Sequence, residues 1–183
     1  MDHMLAAHDK FVLDSPEEDV IEAARRIRPD LHFSEARCTR SYACTSLEQV
    51  PVASDAVTKL MPEDWDSVQR YVQKIDPGEG HGLTSPEWDA LYGAWADGKI
   101  VGHLMAFPDY EEIWMVDLVF VREDHRGRGL AAQLAAFYAR DMLGQGLIPH
   151  YGTAANSASE RTAEKAGFHC CRAERYVDVS REP

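Results

Sequence analysis

Val119-Phe120-Val121-Arg122-Glu123-Asp124-His125-Arg126-Gly127-Arg128-Gly129-Leu130-Ala131-Ala132-Gln133-Leu134 is the stretch on which the reading of this chain turns. β-Branched and aromatic residues come first, which suits a strand. A charged turn follows, and then a glycine-rich start to an amphipathic helix. Glycines let the backbone turn tightly and let a ligand approach it closely. The first turn of a helix offers unpaired N–H groups and the positive end of the helix dipole. A strand, a glycine turn and a helix in that order therefore make an anion site, and a pyrophosphate is its natural occupant.

Outward from this stretch the hydrophobic periodicity predicts the elements on either side. Residues 112–121 read as the strand that feeds the turn, and 129–143 as the helix that leaves it, with Leu130, Leu134, Phe137, Tyr138 and Met142 on one stripe. Gly144-Gln145-Gly146 ends that helix. Residues 147–154 read as a strand, 157–166 as a helix and 169–179 as a last strand. Upstream, residues 90–96 and 99–107 form two strands joined at Asp97-Gly98, a strong hairpin signal. Residues 56–60 read as a strand. Pro62-Glu63-Asp64 opens a helix that buries Trp65, Val68, Tyr71, Val72 and Ile75. Residues 76–82 are loop, and Ser85-Pro86-Glu87 begins a short helical turn. Near the start, Ser15-Pro16-Glu17-Glu18 carries helix-opening cues; Val20, Ala23, Ala24 and Ile27 fall on one face, and Arg28-Pro29-Asp30 stops the helix. Residues 32–46 form one or two strands. Mixed strands followed by alternating strands and helices predict an α/β (α+β) sheet sandwich.

Arg126-Gly127-Arg128-Gly129-Leu130-Ala131 matches the R-x-x-G-x-[GA] signature of the GNAT superfamily of acyl-CoA-dependent N-acyltransferases. Downstream, Asn156-Ser157-Ala158-Ser159 and Ala163-Glu164-Lys165-Ala166-Gly167-Phe168 resemble the N-x-x-S…E-K-x-G-F block that closes that family's cofactor site. Either block alone is weak; both in order make a strong signal. The resemblance covers about residues 55–176, so residues 1–53 are expected as an N-terminal extension packing on the core or on a partner, and 54–183 as the acyltransferase domain. The resemblance implies a mixed, strongly twisted sheet that opens a gap between the strand 112–121 and the strand 147–154. It implies acetyl-CoA as cosubstrate. It places the pyrophosphate on the amides from Arg126 to Ala131, with Arg126 and Arg128 adding charge around Gly127 and Gly129, and Leu130 holding the helix to the sheet. It runs the pantetheine arm beside Leu118, Val119, Phe120 and Val121, paired to their backbone like an added strand, and brings Asn156 and Ser159 to the cofactor. Asn156 is also a natural helix cap, and Ser159 has the same alternative. Gly167 reads as a helix C-terminal glycine and Phe168 as core.

Acyl transfer to an amine needs a neutral amine, a polarised carbonyl and a proton for the departing sulphur. The resemblance assigns polarisation to a backbone N–H near Leu118 or Val119. It also implies a tyrosine two residues before the lysine of the second block as the acid, and this chain has Ala163 there. Tyr151, on the strand flanking the gap, is the substitute acid favoured over Tyr138, which reads as core. Asp117 interrupts an apolar strand, and a buried carboxylate is costly unless paired or functional; alternation puts it on the face of Met115 and Val119. It is the candidate base, with a structural carboxylate as the other reading. His103 and His150 stay unassigned, and His125 should point to solvent or phosphate. Glu123 stands where the family usually has proline.

The 183 residues, 45% of them hydrophobic, suit one domain with a real core. A formal net charge of −12 argues against nucleic-acid binding, which needs clustered Lys and Arg, and an acidic surface can attract a cationic acceptor. No run approaches the roughly 18 apolar residues of a membrane span. Cys38, Cys44, Cys170 and Cys171 show neither a C-x-x-C pair nor a zinc pattern, and read as reduced thiols of a cytoplasmic protein. A small-molecule or peptide amine is the expected acceptor, a homodimer is possible, no metal is expected, and a GNAT-like module that binds or senses acyl-CoA without turnover is the alternative function.

Overall fold

The computed structural model describes residues 10–15, 18–75, 83–153 and 156–181. Along the chain run β1 (Lys10–Ser15), α1 (Glu18–Ile27), β2 (His32–Phe33), β3 (Arg37–Ala43), β4 (Val57–Leu60), α2 (Trp65–Val72), β5 (Ala90–Ala96), β6 (Lys99–Pro108), β7 (Ile113–Val121), α3 (Leu130–Gly144), β8 (Ile148–Thr153), α4 (Ser157–Lys165) and β9 (His169–Ser180). The loop expected at 76–82, Ala154, and Pro16 and Glu17 of the helix-opening cue lie outside the described residues.

The strands form one mixed sheet in the order β1-β9-β3-β8-β7-β6-β5-β4, with β2 also pairing to β9. Every neighbouring pair is antiparallel except β7 and β8. The β5–β6 hairpin turns at Asp97 (φ 50°) and Gly98 (φ 70°), the positive pair that matches the twist of the flanking strands. β1, β2 and β3, all ahead of position 54, are strands of this same sheet, and β3 lies between β8 and β9, antiparallel to both.

One face of the sheet carries α3 and α4. Leu104, Val116, Val121, Leu134, Tyr138, Met142, Tyr151, Ala163 and Phe168 form the large core there, with Leu130 and Phe137 packed against it. The other face carries α2, whose Val68 and Tyr71 bury against Leu60, Leu91 and Ile100, with Trp65, Val72 and Ile75 beside them, as the periodicity predicts. A third cluster, Ile21, Leu31, Val177 and Val179, packs α1 on β9. Here the expected face is off by one position: Val20 and Ile27 are 43% and 73% exposed, while Ile21 and Ala24 are buried. The apolar surface of β9 selects which residues of this short helix turn inward, and a helix of ten residues leaves two overlapping stripes to choose from. The helical turn expected at Ser85-Pro86-Glu87 is absent; Ser85 and Pro86 form a bend and Glu87 is irregular, consistent with Pro86 disfavouring a helical Ser85.

Candidate functional site

β7 and β8 run parallel from Ile113↔Ile148 to Val116↔Tyr151, and there the pairing ends. Beyond that point Asp117–Val121 pair only with β6, and Gly152 and Thr153 pair with β3, opposite Ser41 and Arg40. The split has two causes. β3 holds the far end of β8 on its outer side. A bulge bends β7 at the same level: Met105 faces Leu118 and Ala106 faces Val116, so Asp117 is the extra residue.

The bulge corrects the reading of Asp117. An extra residue shifts the pleat by one, so Val119 joins Trp114 and Val116 in the α3-side core. Asp117 instead borders a separate cavity of about 210 Å³ with Leu83, Glu87, Trp88, Asp89, Met105 and Phe107, several of which belong to the α2-side core or flank it. Asp117 is exposed rather than buried, so the costly buried carboxylate that strict alternation predicts does not exist.

Below the split lies the cleft. One cavity of about 380 Å³ is bordered by Val119, Phe120, Val121, Arg126, Tyr151, Asn156 and Ser159, among others. A second, of about 290 Å³, adjoins it through Val121, Arg126, Ala131, Ala158 and Thr162 and reaches His125, Gly127, Gly129, Arg161 and Lys165. Leu118 and Arg128 border neither cavity.

The turn at the head of α3 is built as its glycines suggest. Gly127 has φ 77° and Gly129 φ 79°. A Cβ on Gly127 would meet nothing within 4 Å, and one on Gly129 only Gln133 Nε2 at 4.0 Å, so both glycines are required by backbone conformation and not by crowding. Gly129 is the N-cap of α3 and supplies no side-chain cap. Among the described residues no partner takes the amides of Gly127, Arg128 or Gly129. The amide of Arg126 donates to Glu123 O at 3.1 Å, so the run of unpartnered amides begins at Gly127. Arg126 itself braces the turn: Nε donates to Val121 O at 2.8 Å, and the guanidinium lies 5.7 Å from the Phe120 ring centroid. Arg128 leans back onto Asp124 O at 3.3 Å. Arg161 and Lys165 face the same cavity from α4, and neither has an ion-pair partner among the described residues. Their i, i+4 spacing is visible in the sequence, but a solvated helix face has the same spacing, which is how they are missed. His125 borders this cavity too, with a buried Nδ1 that has no hydrogen-bond partner among the described residues.

Asn156 is the N-cap of α4, its Oδ1 accepting from Ala158 N and Ser159 N at 3.0 and 3.4 Å; its amide nitrogen is the atom left for a ligand. Ser159 does not cap: its Oγ lies 3.1 Å from the Tyr151 hydroxyl. Tyr151 is 3% exposed, and burial pushes its phenol above the ordinary value, opposed by the Ser159 bond. Tyr138 is core, donating to Trp114 O and stacked on Phe168. His103 is buried with Nδ1 2.8 Å from the Tyr71 hydroxyl. His150 borders none of these cavities, and burial lowers its pKa against the pull of Asp109. α4 ends in a Schellman motif, Phe168 N to Ala163 O and Gly167 N to Glu164 O, both 3.1 Å, with Gly167 at φ 92°.

Residues 55–168 match the profile of the acetyltransferase (GNAT) family. The chain belongs to the GNAT family. Solved structures share its fold. A GNAT-family acetyltransferase from Novosphingobium aromaticivorans superposes with a TM-score of 0.63 at 20% identity, over 96% of this chain and 75% of that one. A GCN5-related N-acetyltransferase from Sphaerobacter thermophilus gives 0.65 at 17% identity, over 100% and 64%. An acetyltransferase from Colwellia psychrerythraea gives 0.62 at 18% identity, over 92% and 63%. The GNAT chain thus spans less than two thirds of the latter two. No curated protein matches it. Membership carries acyl transfer in general and the mixed GNAT sheet in particular. No helix among the described residues is long and apolar enough to cross a membrane.

Proposed function

We propose that this GNAT chain is an N-acetyltransferase that moves an acetyl group from acetyl-CoA to a primary amine by direct attack in a ternary complex. The observation that carries the reading is the uncapped, doubly left-handed glycine turn opening into a cleft between two strands that part. The residues fit the cosubstrate. Unpartnered amides and the unpaired cations Arg161 and Lys165 suit its phosphates, and the free edge of β7 suits an arm that pairs as an added strand.

The amides of Gly127, Arg128, Gly129, Leu130 and Ala131 hold the pyrophosphate, with Arg126 and Arg128 adding charge. The backbone of Leu118, Val119, Phe120 and Val121 receives the pantetheine arm, and Asn156 and Ser159 line it from α4. Acetyl-CoA supplies an activated thioester carbonyl and a thiol leaving group. In the transfer an N–C bond forms and the C–S bond breaks. A backbone N–H near Leu118 or Val119 polarises the carbonyl. Asp117, at the bulge, takes the ammonium proton directly or through water; Tyr151, held by Ser159, gives its proton to the departing sulphur and regains one from the nitrogen as the amide forms.

Thiol release from acetyl-CoA across a panel of amines tests the reading. Tyr151→Phe lowers kcat by about 100-fold and leaves acetyl-CoA affinity unchanged by calorimetry. Because burial raises the Tyr151 pKa above its ordinary 10.0, the acid stays protonated below pH 10 and contributes no descending limb to the kcat profile there. Asp117→Asn lowers kcat/KM for the amine by about tenfold, with the loss concentrated at low pH, where the amine most needs a proton acceptor. Full turnover in both variants removes these two roles. Heat of acetyl-CoA binding without thiol release from any amine leaves the non-turnover binding module, which the buried Ala163 at the family's usual tyrosine position favours.

A further inference from the structure

The cavity beside Asp117 on the α2 side of the sheet lies at the level where β7 and β8 part and shares no lining residue with the two cleft cavities. We infer that it receives the acceptor, and that the acceptor is an aliphatic primary amine carrying a second cationic group; this rests on the acetyl-transfer reading above.

Two kinds of wall meet there. Trp88, Phe107, Met105 and Leu83 are apolar, while Glu87, Asp89 and Asp117 bring carboxylates. Trp88 is fixed: its Nε1 donates to Leu60 O at 3.3 Å, and its ring lies 6.1 Å from that of Trp65. A fixed indole offers a face that attracts an ammonium group, and the apolar wall covers methylenes. Glu87, Asp89 and Asp117 have no ion-pair partner among the described residues, whereas Asp30, Asp124, Asp141, Glu160 and Asp178 are each paired with an Arg or Lys. Cations gather elsewhere, with Arg70, Lys74, Lys99 and Arg122 around a groove of their own. The cavity therefore presents uncompensated negative charge over an apolar floor, and its volume of about 210 Å³ admits a short aliphatic chain.

One ammonium group at Asp117 is the amine to be acetylated, and leaves Glu87 and Asp89 unanswered. A second ammonium group on the same chain answers them and stays protonated through the transfer. A carboxylate at that position is repelled by both. The second group therefore acts as a specificity element, read by Glu87, Asp89 and Trp88, at the far end of the chain from the reacting nitrogen.

Three probes of equal length decide it: 1,5-diaminopentane, 1-aminopentane and 5-aminopentanoate. The measurements are thiol release from acetyl-CoA and calorimetric binding of each probe to the full chain saturated with CoA. Exposed ion pairs are individually weak, so the expected advantage in kcat/KM of diamine over monoamine is about tenfold, and that of diamine over amino acid about 100-fold. In the E87Q/D89N double variant the diamine-to-monoamine ratio falls to about one, with CoA affinity reporting that the variant is folded. Salt erodes the diamine preference in the native chain. Equal turnover of diamine and monoamine, or a ratio that survives E87Q/D89N, overturns the dication inference and leaves acetyl transfer standing. Thiol release from none of the three while another amine of the panel turns over overturns the dication inference and leaves acetyl transfer standing; release from no amine at all, with acetyl-CoA bound, overturns the transfer reading, and absence of heat in the diamine titration then overturns the cavity's preference too.

Discussion

Gly129→Val is expected to weaken acetyl-CoA binding by at least about 100-fold, about 2.8 kcal/mol, with only a small loss of stability. Gly129 stands at φ 79°, a conformation that costs a non-glycine residue about 1–2 kcal/mol and a β-branched one most of all. The chain escapes that cost by rotating out of the left-handed region, and the rotation turns the amides of Gly127, Arg128 and Gly129 away from the cavity. Each charge-assisted bond from such an amide is worth about 1.5–3 kcal/mol, so two lost bonds account for the effect. The core is spared, because a Cβ at this position meets only Gln133 Nε2 at 4.0 Å. Calorimetry gives the affinity and thermal unfolding gives the stability. An unchanged dissociation constant removes the amides from the site, and with them the main support for a pyrophosphate there.

Gly167→Ala has the opposite profile: a large loss of stability at a residue that borders neither cleft cavity. Gly167 has φ 92°, and an added Cβ would lie 2.3 Å from Gln49 O, 2.9 Å from Gln49 C and 3.0 Å from Val50 Cα. Those are backbone atoms, which cannot swing aside as a side chain does. The left-handed cost of about 1–2 kcal/mol adds to an overpacking cost of about 1–3 kcal/mol, for about 2–5 kcal/mol in all. For a chain of this size the melting temperature falls by about 10 °C. Gly146→Ala is the companion measurement. Gly146 has φ 77° with nothing within 4 Å of its Cβ position, so it loses only the conformational part, about 1–2 kcal/mol. Equal losses in the two variants place the whole effect in φ and none in the contact with the 47–50 segment.

The parts of this molecule that were legible in the sequence are those set by local rules. The left-handed demands at Asp97-Gly98, Gly127, Gly129 and Gly167 are written in residue type, and so is the Asn156 cap. The stripes of α2 and α3 follow from periodicity. What escaped depends on partners distant along the chain. Alternation groups Asp117 with Val119 because it counts residues and cannot register an extra one, and the bulge that separates them exists only against Met105 and Ala106 of β6. The cavity beside Asp117 joins residues from 83–90, 105–107 and 117, which no spacing rule connects. Arg161 and Lys165 have a visible pattern whose meaning comes from the turn across the cavity. The Tyr151–Ser159 contact links β8 to α4 and required the fold to be seen.

The position of β3 bears on how the chain is made. A ribosome releases Arg37–Ala43 well before both strands that flank it, Ile148–Thr153 and His169–Ser180. Until then β3 has neither of its neighbours, and both of its edges stand unpaired. Contacts of such long sequence separation form slowly, and an unpaired edge is open to association with other chains. Closure of the sheet at this cleft therefore waits on strands made long after β3, and nascent chains arrested before β8 should accumulate as insoluble species.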